Sequence, residues 1–358
     1  MTLRKGLVDM LKITANTSKV YDILIGSNLI KDCGKYISKV VNPCKAMIVT
    51  DSNVGPLYAN AIKTALDSAG FDSYIHTFKA GEKNKNIETV YNITLSLAEK
   101  GFNRKDIVVA LGGGVCGDMA GFASSIYMRG IRFIQVSTSI LSDIDSSVGG
   151  KTGCDLPVGK NLIGAFHQPE LVVIDTNVLS TLPKRFYNDG MGEAIKYGVI
   201  ASSDLMDKIC DDIDIEQLIF ECVDIKRKVV ENDEKEQGER KLLNFGHTLG
   251  HAIEKYYNFD KYTHGEAVAI GMCMISDAAC ANGYCDKTVG DKIRIACKRF
   301  SLPTECDAPI EELSKIALSD KKSTSNGIDF VLPRTVGKCE IVNIKKEDIL
   351  PFLKKGIK

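Results

Sequence analysis

The sequence predicts an α/β plus all-α chain: an N-terminal α/β domain with a mainly parallel sheet over residues 1–175, then a helical domain over 176–358. Three observations carry that prediction. Short β-rich runs alternate with helical stretches in the first half, the pattern of β-α-β units. From about residue 176 the β-rich runs thin out and apolar residues recur at helical spacing. The length, 358 residues, exceeds the usual reach of one core, about 100–200 residues.

Taken in order, Ala46–Thr50 (AMIVT) is a compact apolar run ending at Asp51. Leu57–Ala69 follows with helical spacing and is closed by Gly70, as helices often are. Tyr74–Phe78 reads as a strand and Ile87–Glu99 as a helix stopped before Gly101. Ile107–Leu111 (IVVAL) is continuously apolar, as suits a strand covered on both faces. Arg132–Val136 and Leu171–Asp175 complete the strand candidates of this half. In the second half, Leu205–Ile209, Glu216–Val230, Leu242–Tyr257, Glu266–Ala281 and Lys287–Phe300 carry helical spacing. Glu231–Arg240 (ENDEKEQGER) reads as a charged hinge between two of these helices, and Ile328–Leu332 as a short late strand.

Composition excludes several classes. Hydrophobic residues make up 44% and charged residues 26%, ordinary for a globular protein, and 46 basic residues balance 46 acidic ones. With no net field, neither nucleic acid nor a membrane surface is an expected partner. The start, MTLRKGLVDMLKI, is too polar for a secretory core, and no run reaches the roughly 18 apolar residues of a spanning helix. The twelve cysteines are scattered without a C-x-x-C pair, so the expectation is a cytoplasmic chain with reduced thiols.

The glycine run Gly112-Gly113-Gly114-Val115-Cys116-Gly117-Asp118 follows the IVVAL strand directly, and Gly112, Gly114 and Gly117 satisfy G-x-G-x-x-G. Such a turn lets backbone approach a pyrophosphate at a helix N-terminus, which points to a Rossmann-like dinucleotide site. The usual acidic partner lies about 20 residues downstream. Asp143 and Asp145 lie further away, so Asp51 is the better ribose candidate. Ser146–Thr152 resembles the tail of a phosphate-binding P-loop, but Asp145 stands where that loop requires glycine.

Of five histidines, His247, His251 and His264 fall close together. His247 and His251 are four apart and share a helical face. That spacing suits two rings on one metal, or one ring on the metal and the other toward a substrate. Glu193 could complete a catalytic two-His, one-carboxylate set. Arg129, Lys151, Lys160, Asn161, Lys196, Lys226 and Arg240 surround these motifs. Any one of them alone reads as surface charge. Together with a metal they point to a substrate carrying phosphate or carboxylate.

Eight motifs now stand in order: GEKNK at 81–85, GGGVCGDMAGF at 112–122, DSSVGGKTG at 145–153, GKNLIGAFHQP at 159–169, GMGEAIKYG at 190–198, RKLLNFGHTLGHAIE at 240–254, HGEAVAIGM at 264–272 and DKK at 320–322. On these the chain resembles the 3-dehydroquinate synthases, of the sugar-phosphate cyclase superfamily, over nearly its whole length. The resemblance implies an NAD-binding α/β domain, a metal-binding helical domain and an active site between them. It implies Glu193, His247 and His264 as ligands of zinc or cobalt, with His251 facing the substrate. It implies NAD contacts from Asp51, Glu82, Lys85, Gly114, Val115, Asp118, Thr138, Ser139, Lys151, Lys160, Leu179 and Thr181, with Asp145 near the nicotinamide. The substrate positions it implies are Arg129, Lys151, Asn161, Lys196, Lys226, Arg240, Asn244 and His251, with one of Lys321 and Lys322 as a further anion contact. Relatives of this kind are commonly homodimers. Departures are small: Cys116 and Cys154 replace apolar residues, Ser137 a proline and Ser139 a threonine.

The family's reaction turns 3-deoxy-arabino-heptulosonate 7-phosphate into 3-dehydroquinate and phosphate. It proceeds by transient oxidation by NAD, phosphate elimination, re-reduction, ring opening and aldol closure, early in the shikimate pathway. Its nearest rivals are cyclases for sedoheptulose 7-phosphate, glucose 6-phosphate or an amino analogue of the usual substrate. A metal-dependent polyol dehydrogenase would share the fold without needing the lysine set. An inactive scaffold would be expected to have lost part of these residues.

Overall fold

The computed structural model describes residues 10–319 and 327–357. Contacts divide the chain into two compact units, residues 1–182 with 226–234 and residues 183–225 with 235–358.

The first unit is built on strands β1 (Met10–Asn16), β2 (Val20–Gly26), β3 (Lys45–Asp51), β4 (Asp72–Phe78), β5 (Ile107–Gly112), β6 (Arg132–Ser137), β7 (Lys151–Leu156), β8 (Gly159–Phe166) and β9 (Leu171–Asp175). Seven of them form one sheet in the order β1-β2-β9-β6-β5-β3-β4. Every neighbouring pair is parallel except β1–β2, while β7 and β8 form a separate antiparallel hairpin. The central strands are apolar, Gln135 of β6 apart, because both faces are covered. Ile48, Val109, Ile134 and Val173 pack on one side, with Ile62 and Leu66 of helix α2 (Gly55–Ser68) after the short α1 (Cys33–Ile37). Met47, Val49, Val108, Ala110 and Phe133 pack on the other, against helices α3 (Ile87–Glu99) and α4 (Gly114–Ile126). Asn86 caps α3 by accepting the Thr89 N–H at 3.0 Å. Gly70 and Gly101, both left-handed, follow the ends of α2 and α3.

The second unit holds helices α5 (Lys184–Ala201), α6 (Ser203–Asp211), the first part of α7 (Ile215–Asn232), α8 (His247–Tyr256), α9 (His264–Ala281), α10 (Lys287–Arg299), α11 (Ile310–Leu318) and α12 (Lys346–Lys354), plus the hairpin β10 (Ile328–Thr335) and β11 (Lys338–Ile344). Helix α9 is the axis, packed against α5, α8, α10 and α12. Its apolar residues are accordingly buried almost all round.

The sequence prediction of a helix over Leu242–Tyr257 is corrected. Residues Glu239–Asn244 form a 3-10 turn, Gly246 is left-handed at φ 78°, and α8 begins only at His247. The apolar spacing runs across the break because both pieces are buried, so periodicity alone does not show it. Also unforeseen are the hairpins β1–β2 and β7–β8, the strand β11, and helices α1, α11 and α12; of α5, spacing places only Glu193 and Lys196 on one helical face. Helix α5 carries Gly190, Gly192 and Gly198 and is buried continuously from Asp189 to Ile200. Its helix formers are interrupted by three glycines, and continuous burial leaves no amphipathic stripe to read. All twelve cysteines are free thiols, six of them buried. Among the described residues no helix is long and apolar enough to cross a membrane.

Candidate active site

The sheet of the first unit reverses its winding between β3 and β5, which lie side by side with Thr50 opposite Leu111. From there the chain steps outward to β4 on one side and to β6 and β9 on the other. The crevice beyond the strand C-termini at such a reversal is where open α/β sheets take their ligands. Asp51 closes β3 there, its Oδ1 accepting the N–H groups of Asn53 at 2.8 Å and Val54 at 3.0 Å. Gly112 closes β5, and α4 starts two residues later with its unpaired first-turn N–H groups. Gly112 and Gly117 are there for space rather than for left-handed backbone. A Cβ on Gly117 would meet Gln135 Oε1 at 2.5 Å, and one on Gly112 the Cys116 Cβ at 2.6 Å. The Cys116 thiol, in turn, donates to the Val49 carbonyl at 3.2 Å.

Around this crevice most of the candidate residues of the unit are in pairs. The Lys85 ammonium is 2.6 Å from Asp118 Oδ2 and 2.8 Å from Asn161 Oδ1, bringing three candidates together. Burial pulls Lys85 down, but the Asp118 carboxylate, helped by Glu82, outweighs it and holds the ammonium above its ordinary value. Burial raises Asp118 despite Lys85. Asn161 is left-handed at φ 52°, and its N–H donates to Asp155 Oδ1 at 2.7 Å. Lys160 lies 3.2 Å from Glu82. Lys226 reaches both the Oδ1 of Asp145 at 2.8 Å and its carbonyl at 2.6 Å. Thr138 donates its N–H to the Gly112 carbonyl at 3.2 Å, and Ser139 Oγ is 2.9 Å from Ser142 Oγ. Gly114 and Val115 form the first turn of α4. Leu179 and Thr181 sit in a 3-10 turn after β9, where the Tyr58 hydroxyl is 2.6 Å from Thr181 Oγ1. Lys151 opens β7, exposed, and Arg129 is exposed in a left-handed stretch with Met128.

In the second unit the geometry is of another kind. Glu193 on α5 is fully buried, and neither carboxylate oxygen has a well-formed hydrogen bond, although the Lys196 ammonium stands 2.5 Å from Oε2. His247 Nε2 is 3.2 Å and His264 Nε2 3.3 Å from Glu193 Oε1. The three side chains each offer a ligand atom, all within 4.8 Å of one another. Close backbone approach makes this possible. A Cβ on Gly265 would fall 1.9 Å from the Asp189 carbonyl, and one on Gly271 2.1 Å from the Gly246 carbonyl. So α9 touches α5 at one point and the start of α8 at the other. Asp189, one turn before Glu193, accepts the Gly265 N–H at 2.6 Å and pins the first turn of α9.

Electrostatically, burial opposes ionisation of Glu193, but Lys196 and His247 hold its carboxyl well below the usual range. Burial lowers His247. His264 rises despite burial, because Glu193 and Glu254 both face it. A second group, His251, Glu254 and His264, also meets metal-ligand spacing. Arg240 is buried in the 3-10 turn before α8, and Asn244 Nδ2 donates to Glu236 Oε1 at 2.8 Å. Lys321 and Lys322 lie outside the described residues. Sequence reasoning passed over Asp189, Glu236, Glu254 and Tyr58. For Glu254 a signal existed, since His247, His251 and Glu254 recur at i, i+4 and i+7.

Known structures share the fold. The chain superposes on 2-deoxy-scyllo-inosose synthase complexed with carbaglucose-6-phosphate, NAD+ and Co2+ with a TM-score of 0.87, at 24% identity, over 97% of this chain and 100% of that one. It superposes on 2-epi-5-epi-valiolone synthase from Streptomyces hygroscopicus, with NAD+ and Zn2+ bound, with a TM-score of 0.86, at 23% identity, over 97% and 99%. A probable glycerol dehydrogenase from Sinorhizobium meliloti is more distant, with a TM-score of 0.62. The chain shares the fold of these two synthases. Sequence then gives the family. Residues 75–189 match the 3-dehydroquinate synthase N-terminal model and residues 190–323 the C-terminal model. The 3-dehydroquinate synthase of Clostridium acetobutylicum is 43% identical over 342 residues, 93% of this chain and 96% of that protein. That of Streptococcus sanguinis is 42% identical over 94% and 97%. The chain belongs to the 3-dehydroquinate synthase family.

Proposed function

We propose that this chain is a phosphate-eliminating lyase that converts 3-deoxy-arabino-heptulosonate 7-phosphate into 3-dehydroquinate and phosphate, using NAD and one divalent metal. The observation that carries the proposal is the 43% identity to a 3-dehydroquinate synthase along 93% of the chain. The donor set supports the metal: a buried carboxylate without well-formed hydrogen bonds, faced by two imidazole Nε2 atoms, suits a divalent cation such as zinc or cobalt. We assign Glu193, His247 and His264 to it. The crevice at Asp51 and the Gly112–Gly114 turn suits a dinucleotide. We assign to NAD the contacts Asp51, Glu82, Lys85, Gly114, Val115, Asp118, Thr138, Ser139, Lys151, Lys160, Leu179 and Thr181. When bound, the metal supplies Lewis-acid polarisation of a substrate hydroxyl and NAD supplies reversible hydride transfer.

The remaining work belongs to the chain's own groups. Departure of phosphate requires cations and hydrogen-bond donors around the leaving group, and we assign the Lys151 and Lys196 ammonium groups and the Asn161 amide to hold it. Lys196 also offsets the buried charge of Glu193, 2.5 Å away. Arg129 and Arg240 offer the planar fork that grips a carboxylate or phosphate in two-point fashion. Lys226 is oriented by Asp145. Asn244 and His251 are assigned to the substrate's hydroxyls, with His251 able to move a proton.

The test mixes purified protein with NAD, zinc or cobalt, and the seven-carbon sugar phosphate, following phosphate release and the absorbance of NADH. Phosphate released without accumulating NADH, and lost on chelation, is the expected result. NADH accumulating with polyols would make the chain a dehydrogenase. Release only from another sugar phosphate would keep the mechanism and change the substrate.

A further inference from the structure

We propose that Glu254 is a positioning residue for the metal centre, fixing the tautomer of His264 and strengthening it as a ligand. The inference rests on the reading that Glu193, His247 and His264 hold the cation. An imidazole binds a cation through its unprotonated nitrogen, and the partner of the other nitrogen decides which one that is. His247 Nδ1 lies 3.0 Å from the Phe245 carbonyl, which can only accept. The proton therefore sits on Nδ1, and the Nε2 lone pair points toward Glu193. His264 has the same arrangement with a different partner: Nδ1 lies 3.4 Å from Glu254 Oε2, and Nε2 faces Glu193.

That partner is built in. Glu254 is 3% exposed and sits one turn beyond His251 on the face of α8 turned toward α9. Nothing else in the proposed function uses this buried carboxylate. A carboxylate acceptor raises the basicity of a ligating ring more than a carbonyl does, so the two imidazoles are unequal ligands and His264 is the stronger. The rival arrangement makes Glu254 itself a ligand, with His251 and His264. It would turn the His264 Nδ1, rather than Nε2, toward the ion, and would leave Glu193 buried beside two imidazoles without a task.

The test uses the full-length metal-free chain and zinc alone, titrated against a chromophoric chelator, with cobalt absorption spectra as the second readout. Glu254→Gln, which keeps shape and removes charge, is expected to bind one zinc per chain with affinity lower by ~10–100-fold and with a shifted cobalt spectrum. Glu254→Ala should show at least the same loss. If the alanine variant misfolds, seen in near-ultraviolet circular dichroism, the glutamine variant decides. Affinities within about twofold of the parent and an unchanged cobalt spectrum in Glu254→Gln would overturn the proposal, given the size expected for such partners. So would loss of the bound zinc in Glu254→Gln while Glu193→Gln keeps it, which would make Glu254 a ligand. His247→Ala is the control for the underlying reading. If it retains zinc, the ligand set is wrong; if it loses zinc while Glu254→Gln matches the parent, only the positioning role fails.

Discussion

The two units handle buried charge in opposite ways. At the crevice of the first unit, buried cations are already matched to carboxylates, Lys85 to Asp118 and Lys226 to Asp145, with the more exposed Lys160 beside Glu82. In the helical unit, Glu193 is buried with one lysine and two imidazoles converging on it, and its oxygens lack well-formed hydrogen bonds. Matched pairs make a rigid frame whose charges cancel locally. A convergent, under-satisfied carboxylate makes a site that gains stability when a cation arrives. One unit is organised for shape, the other for affinity.

The sharpest break of this comparison is at Glu193. Glu193→Gln is expected to abolish stoichiometric zinc and to lower phosphate release by on the order of 10³-fold or more, since a Lewis acid is worth several kcal/mol of barrier. His247→Ala should do the same, whereas His251→Ala should keep the metal while losing turnover. Metal analysis of each purified variant, beside the phosphate assay, separates them. Full metal content in His247→Ala would reverse the assignment.

Next in size is the frame. Lys85 is nearly buried and its partner Asp118 is 17% exposed, so Lys85→Met leaves a carboxylate stranded. A loss of about 3–5 kcal/mol in unfolding free energy is expected, together with weaker NAD binding. Lys160→Met is the comparison, because its partner Glu82 is 41% exposed and solvent already screens that pair. There the stability change should stay within about 1 kcal/mol. Urea unfolding of both variants measures the contrast, and equal losses would mean that the two pairs are not different in kind.

How much of this was legible follows the same division. The parallel sheet was readable because β3, β5 and β9 carry compact apolar runs, and β6 one broken only by Gln135, alternating with helical stretches. Helix α5 was not readable over its length, since Gly192 serves contact with α9, Gly198 contact with α6, and burial erases the amphipathic stripe. The histidines drew attention by clustering in sequence. Glu254, on the same face of the same helix, did not, because a glutamate on a helix ordinarily reads as solvated charge. The Lys85–Asp118–Asn161 contact joins residues 33 and 76 positions apart. No periodicity links such positions, and only the fold brings them together.

The last prediction concerns the residue that breaks the pattern of the first unit. Asp143, in the π-helical turn after β6, is fully buried, and neither of its oxygens has a well-formed hydrogen bond. Burial raises its pKa to about 8, with the nearby Ser137 hydroxyl opposing the rise and Asp175 adding to it. The folded chain therefore holds a proton that the unfolded chain releases near the ordinary 3.8. Between those two values stability falls as pH rises, because the folded state binds more protons there. Asp143→Asn removes the titration and keeps the shape. Below pH 4 the variant should match the parent. Toward pH 8 it should be more stable by an increment that grows with pH, at up to about 1.4 kcal/mol per pH unit, the slope of one differentially bound proton. Denaturation at pH 5 and pH 8 reads the difference. An increment that does not grow with pH would mean that Asp143 is held ionised, and that the first unit pairs even this charge.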